Sequence, residues 1–367
     1  MRYVTRYEDC RAVLRDTTSY SNAAGMKAPG VEIPAEDRLL GELDPPLHTP
    51  VRRAMVTALT PRVVHAAEPF MAETAAALLD TVPVPGTADL VASFTVPLPN
   101  RVTVHLLGLP AEDADRLATW AKGLMESAFP RTNRTERGEG FAGAFPEFAG
   151  YIDDQLDRRA GSDPSDDDAD VITRLGALEV DGDRLPRRQV RALVRNLITG
   201  GLTTTSQLLG NLLLELLTDP ALDAAVRRDE ATLHRAIEES LRIAPPILFL
   251  ARGCTHDTEV GGMRLAAGER VIVGTASANR DEDVFPAGDE FQADRANADQ
   301  HLTFGYGAHV CPGASLARTV ARVGLSTYLA RFPAGTVQLT PGFRFENVPT
   351  YFEVGPRRLP VETRASA

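Results

Sequence analysis

Apolar residues recur at helical spacing through most of the chain, and the pattern predicts a mainly α protein with short strands near both ends. Ala66 to Leu79 and Ala111 to Met125 each carry an apolar stripe of period 3.6. A longer run, Val190 to Leu217, follows Pro186, a residue that suits the first turn of a helix. At 1.5 Å per residue this helix would be on the order of 40 Å long, enough to cross a domain as a central spine. Val260 to Arg264 and Glu269 to Val273 alternate as strands and are predicted to pair across an Ala-Gly turn. Between Ala276 and Gly313 the chain is rich in Gly and Pro and predicts irregular structure. Acidic Gly161 to Asp170 predicts a solvated surface loop. There is no internal repeat and no interdomain linker, so the 367 residues are expected to form one large helical domain.

Composition narrows the function classes. Lys and Arg number 39 against 50 Asp and Glu, a net charge of −11, which disfavours a general nucleic-acid-binding role. Cys10, Cys254 and Cys311 are widely separated and form no CxxC or Cys/His zinc pattern. That suggests a reducing compartment, without a disulfide framework, in which any functional cysteine acts alone. No segment carries the basic and apolar pattern of a signal peptide, and none reaches the ~20 apolar residues of a membrane span, so a cytoplasmic protein is expected.

The most informative stretch is Phe304-Gly305-Tyr306-Gly307-Ala308-His309-Val310-Cys311-Pro312-Gly313. Three glycines around one cysteine imply turns that side chains would resist, and close approach to something flat or bulky. Ala314 to Arg318 then starts a helix whose positive end would favour a thiolate. A buried structural cysteine is the usual meaning of a lone cysteine, but the glycine spacing, Phe304 and the helix start together favour a metal-binding sulfur.

This segment resembles the haem-binding loop of the cytochrome P450 family, Phe-Gly-x-Gly-x-His/Arg-x-Cys-x-Gly, at every fixed position. The resemblance implies the P450 fold, with Cys311 as thiolate ligand of haem b iron and His309 at a haem propionate. Thiolate ligation pushes electron density toward iron and favours O–O cleavage. Pro312 replaces the more usual Leu and has no N–H to offer the sulfur. Other family motifs occur in order. Glu239 and Arg242 resemble the Glu-x-x-Arg pair and, with Arg295, the structural triad. His48 and Arg52 resemble the start of the helix that faces the propionates, and Arg252 resembles a further propionate partner. The likeness spans nearly the whole chain, although the family usually has one more helix and strand before Tyr3 to Asp9.

Within the spine, Thr199-Gly200-Gly201-Leu202-Thr203-Thr204-Thr205 combines poor helix formers where regularity is expected, a conflict that tends to mark a functional site. It resembles the family's oxygen-activation stretch, which has a widened helical groove. Thr204 then falls on the proton-delivering threonine and Thr203 on the position usually held by an acid. A hydroxyl can relay a proton but is a poor source of one. The resemblance further implies substrate recognition by Ser21 to Leu43, Ala128 to Phe148, Pro245 to Phe249 and Val348 to Tyr351. Leu197, Gly201, Ile247, Leu248 and Phe249 are candidate contacts to an apolar small molecule. Electrons would come from a separate ferredoxin or flavodoxin, docked near Arg318, Arg322, Arg53 and Arg62. The expected activity is a monooxygenase reaction, hydroxylation or epoxidation. Peroxide-driven oxidation, phenol coupling, or non-catalytic haem binding or gas sensing are the alternatives.

Overall fold

The computed structural model describes residues 2–26, 37–128, 140–164, 169–180 and 182–365. Its axis is one continuous α-helix, Arg187–Thr218, of 32 residues and about 48 Å. Pro186 precedes it, and buried residues occur all around it rather than along one stripe. A helix apolar on every side must be covered on every side. The neighbours are helices Pro97–Leu106, Ala114–Ala128, Glu230–Ile243 and Ala314–Arg331. The last of these lies chiefly on Glu68–Asp80. Gly324 lets it approach closely, since a Cβ there would lie 2.7 Å from Leu98 Cδ2.

A four-stranded sheet takes the order Arg2–Val4, Arg270–Val273, Leu250–Cys254, Tyr20–Ser21. The first pair is parallel, with Arg2 opposite Val271, and the next antiparallel, with Leu250 opposite Val273. This sheet closes a second, smaller core that contains Cys10 and Cys254. Cys10 Sγ donates to Val4 O at 3.3 Å, and burial pushes its pKa up to about 12. Both thiols are therefore packing groups. A three-stranded sheet, Val337–Leu339, Pro360–Thr363 and Gly86–Asp89, stands apart.

Three local expectations need correction. The Ala66 to Leu79 stripe begins later, as Glu68–Asp80, because Pro69 cannot continue the preceding Pro61–Ala66 helix. Ala111–Asp113 is a 3₁₀ turn before the Ala114–Ala128 helix. The strand expected over Val260 to Arg264 is instead the turn of a hairpin between Thr258–Val260 and Met263–Leu265. Gly261 and Gly262 both have positive φ, +55° and +76°, the signature of a two-residue hairpin turn. Arg270–Val273 pairs elsewhere, with Arg2–Val4 and Leu250–Cys254. Asp170, at the end of the predicted acidic loop, accepts from Thr173 N–H as a helix N-cap and pairs with Arg159 Nε at 2.7 Å. Residues 165–168 of that loop lie outside the described residues.

Two buried glutamates tie the irregular segment to the helices. Glu239 receives Arg242 Nε and Nη2, both at 2.7 Å, and Arg295 Nε at 3.0 Å. Arg242 Nη1 also donates to Asn279 O and Gly288 O, each at 2.7 Å. Next to it, Glu238 accepts Arg318 Nε and Nη2 at 2.7 and 2.8 Å, with His301 Nε2 at 3.4 Å. Burial would raise the Glu238 pKa, but Arg318 and His301 hold it down to about 2. These pairs stabilise the fold above roughly pH 4 and are lost as the pH falls toward the depressed value. Replacing Glu239 by Ala leaves two buried guanidinium groups without their carboxylate. Urea unfolding should show a loss of about 3–5 kcal/mol; a change within 1 kcal/mol would contradict this account.

Candidate functional site

Cys311 sits at the end of a loop whose shape is set by backbone geometry. Gly305 and Gly307 have φ of +76° and +73°, and a Cβ on Gly307 would lie 3.1 Å from Arg15 Cα. Glycine is required there both for the left-handed backbone and for the close approach. Cys311 N–H donates to Phe304 O at 2.7 Å and closes the loop, and Ala314–Arg331 follows as a helix. Cys311 is exposed and lines the cavity, although protein surrounds it on a larger scale. Burial pushes its thiol pKa up, against the Gly313 N–H, Arg52 and Arg318, which pull it down. The start of the helix and the two arginines thus work against burial at this sulfur. Among the described residues no group of three or more His, Cys, Asp or Glu is placed to hold a metal.

The cavity measures about 300 Å³ and separates two walls. One is the cysteine loop: Phe304, Gly305, His309, Cys311, Pro312 and Gly313. The other is the middle of the long helix: Gly200, Gly201, Thr204 and Thr205. The helix stays α through this stretch, with no break. Thr204 Oγ1 donates to Gly200 O at 2.8 Å, and Thr199 Oγ1 to Arg195 O at 2.9 Å. Such back-bonds satisfy threonine inside a helix. Gly201 has a packing role as well, because a Cβ there would lie 3.2 Å from Thr103 Oγ1. Thr203 is not in the lining; its hydroxyl donates to Glu353 Oε1 at 3.2 Å.

Apolar side chains complete the space, among them Met55, Leu59, Val102, Leu106, Leu197 and Ile247. Of the candidate substrate contacts, Leu197, Gly201 and Ile247 line it, while Leu248 and Phe249 do not. Each of the two is held elsewhere. Leu248 is bound into backbone pairing, its N–H on Phe352 O at 2.8 Å, and Phe249 lies against Tyr351 with ring centroids 6.1 Å apart. Parts of the predicted recognition segments, residues 27–36 and 129–139, lie outside the described residues.

At one edge of the cysteine loop, residues far apart in sequence form a basic cluster. The rings of His48 and His309 lie 4.0 Å apart, and each has a buried Nε2 without a hydrogen-bond partner. Arg52 Nη1 donates to Val310 O at 2.7 Å. Arg252 is 4% exposed and, among the described residues, donates only to a backbone carbonyl, Ala251 O. Burial, with His48 and Arg252 adding like charge, pushes His309 down to about 3, and burial pushes Arg252 down to about 10. Asp44 faces the group but already accepts from Ser21 and Asn22. Orphaned donors and desolvated cations at the rim of a cavity fit a ligand that presents carboxylates there and a metal at the sulfur. The predicted docking arginines fare differently. Arg318 is bound to Glu238 and lies over the Phe304 ring at 4.6 Å, and Arg322 pairs with Glu68 at 2.7 Å.

The likeness to known proteins runs along the whole chain. The sequence model of the cytochrome P450 family matches residues 1–347. Cyclomarin C epoxidase CymV of Salinispora arenicola is 34% identical over 98% of this chain and 89% of its own length. Erythromycin C-12 hydroxylase of Saccharopolyspora erythraea is 33% identical over 98% of this chain and 88% of its own. Cytochrome P450 CYP109Q5 from Chondromyces apiculatus has a solved structure that superposes with a TM-score of 0.86 at 31% identity, covering 99% of this chain and 90% of that one. Relatives above 30% identity across nearly every residue, joined to this cysteine loop and cavity, place the chain in the cytochrome P450 family as a P450 monooxygenase.

Proposed function

We propose that this chain inserts one oxygen atom of dioxygen into an apolar small molecule, by hydroxylation or epoxidation, with haem b held by Cys311 and electrons from a separate ferredoxin-type partner. The observation that carries the reading is a single cavity with Cys311 on one wall and Gly200, Gly201 and Thr204 on the other. Its remaining walls are mostly apolar, which suits an apolar substrate. The printed names of two relatives, an epoxidase and a hydroxylase, support the same chemistry.

Each residue then has a part. When bound through a cysteine thiolate, haem iron supplies the redox chemistry, and the sulfur favours O–O cleavage. His48, Arg52, Arg252 and His309 neutralise the carboxylates of the group at the loop's edge, which relieves their own desolvation. Leu197 and Ile247 exclude water and orient the substrate on the long-helix side of the cavity, the side that Thr204 lines. Thr204 holds and passes protons on the long-helix side, its hydroxyl switching from the Gly200 carbonyl to a neighbouring water. Glu239, Arg242 and Arg295 keep the cysteine loop in place rather than touching the reaction.

The reduced, purified protein under carbon monoxide should show the strongly red-shifted Soret band of thiolate ligation, and Cys311→Ser should abolish it; a histidine- or thiol-type band in the wild type would refute Cys311 as ligand. Thr204→Ala should raise peroxide release relative to product on the order of tenfold, whereas unchanged coupling would remove Thr204 from proton delivery. Arg252→Met removes a cation whose burial costs on the order of 3 kcal/mol in the absence of an anion, as its lowered pKa implies. Thermal melts should therefore show the haem-free variant more stable than wild type, while haem transfer to apomyoglobin becomes faster. A less stable haem-free variant would contradict the reading of this cluster.

A further inference from the structure

The long helix has a hydroxyl, Thr203, where the family usually has an acid, yet a carboxyl stands beside it. Glu353, 150 residues downstream, is 4% exposed and accepts from Thr203 Oγ1 at 3.2 Å. Among the described residues its other polar side-chain partners are Thr350 and Gln207, both uncharged. The contrast with the other buried acids is plain. Glu238 and Glu239 are bound by arginines, and Asp37 is paired with Arg188 and Arg191. A buried carboxyl without a cation is costly when ionised, so it stays ready to hold a proton. Burial pushes its pKa up, against the hydrogen bonds from Thr203, Thr350 and Gln207, so the proton is held more tightly than by an exposed glutamate.

Its position is over-determined. Leu248 N–H donates to Phe352 O at 2.8 Å, and Val354 N–H to Pro246 O at 3.1 Å. Asn347 Nδ2 reaches Glu353 O at 2.9 Å, and Asn211 Nδ2 reaches Val354 O at 3.3 Å. Glycines on both sides let the segment lie flush on the helix. A Cβ on Gly355 would lie 2.6 Å from Gln207 Cγ, and one on Gly210 would lie 2.8 Å from Pro356 Cγ. Thr203, Gln207 and Gly210 are spaced by four and three residues and so share one helix face. Thr204 is one residue, about 100°, further round, and faces the cavity.

We propose that Glu353 supplies the acid that the long helix lacks, as a positioning residue that feeds protons through Thr203 toward Thr204 and the cavity. The inference rests on the monooxygenase reading above. In the step, Glu353 O–H donates to Thr203 Oγ1 while Thr203 passes its own proton to a water beside Thr204. The carboxylate left behind regains a proton from solvent. One proton moves in each cycle of the relay, no electron moves, and no other bond changes.

The test uses the haem-loaded protein as wild type, Glu353→Gln, Glu353→Asp, Thr203→Val and the Thr203→Val/Glu353→Gln double variant. A carbon monoxide spectrum like wild type shows that each is intact. In the resting protein, infrared difference spectra through a pH titration should show a protonated-carboxyl band that is absent in Glu353→Gln and shifted in Thr203→Val. During turnover with a ferredoxin system, Glu353→Gln should raise the ratio of peroxide to product on the order of tenfold and change the solvent isotope effect. Glu353→Asp should recover part of the coupling, and the double variant should be no worse than the worse single one. An intact Glu353→Gln that couples like wild type, or a wild type without the carboxyl band, overturns the relay. A wild type that makes product only with added peroxide overturns the monooxygenase reading itself, and the relay with it, and is told apart because the wild type fails.

Discussion

Two adjacent carboxylates on one helix, Glu238 and Glu239, are the constraint from which the cysteine loop takes its position. Both are buried, and each faces a different partner. Glu239 binds Arg242 and Arg295 and thereby fixes the irregular chain that leads to the loop. Glu238 binds Arg318, one helical turn into the helix that leaves the loop. The loop is thus clamped at both ends from a single helix. Buried ion pairs of this kind add little net stability over apolar packing but are severe about geometry, because any displacement leaves a charge unpaired. That severity suits the proposed ligand sulfur, which would have to meet a metal from one direction.

Around that fixed sulfur the molecule departs from its usual economy of buried polar groups. The basic edge formed by His48, Arg52, Arg252 and His309 has more cationic capacity than Asp44 can answer. Glu353 is the converse, a buried acid answered only by uncharged groups. Each is unfavourable for the fold; His309 of the first group lines the cavity, and Glu353 bonds Thr203, the neighbour in sequence of the cavity-lining Thr204. Elsewhere in the molecule, Asp37, Glu238 and Glu239 are paired with arginines. Burial also shifts Tyr151, Tyr328 and Arg195 elsewhere in the fold, so it is the gathering of several such groups near one cavity that suits a functional site.

Features decided within a few residues were legible in the sequence. The Cys311 loop could be read because glycines at Gly305 and Gly307 answer a local backbone need, the positive φ found at both. The long helix could be read because Pro186 and a sustained apolar pattern mark it on both sides of the glycine-threonine stretch. Errors arose where a local signal had two readings. Gly261-Gly262 was a hairpin turn inside what alternation suggested was a strand. Pro69 moved a helix start that the apolar stripe alone placed too early. The carboxylate partners of Arg318 and Arg322 on other helices were likewise not legible, because no spacing rule reports them.

The sequence by itself determined the family, the sulfur and the glycine-threonine stretch, because each is written in contiguous residues whose chemistry does not depend on distant partners. Only the tertiary structure decided which side of a segment faces the cavity, choosing Ile247 over Leu248. It alone also brought His48 to His309, and Glu353 to Thr203 across 150 residues. The physical reason is that burial and charge pairing are properties of neighbours in space. A carboxyl's proton affinity is set by what surrounds it, and that is fixed only when the chain has folded.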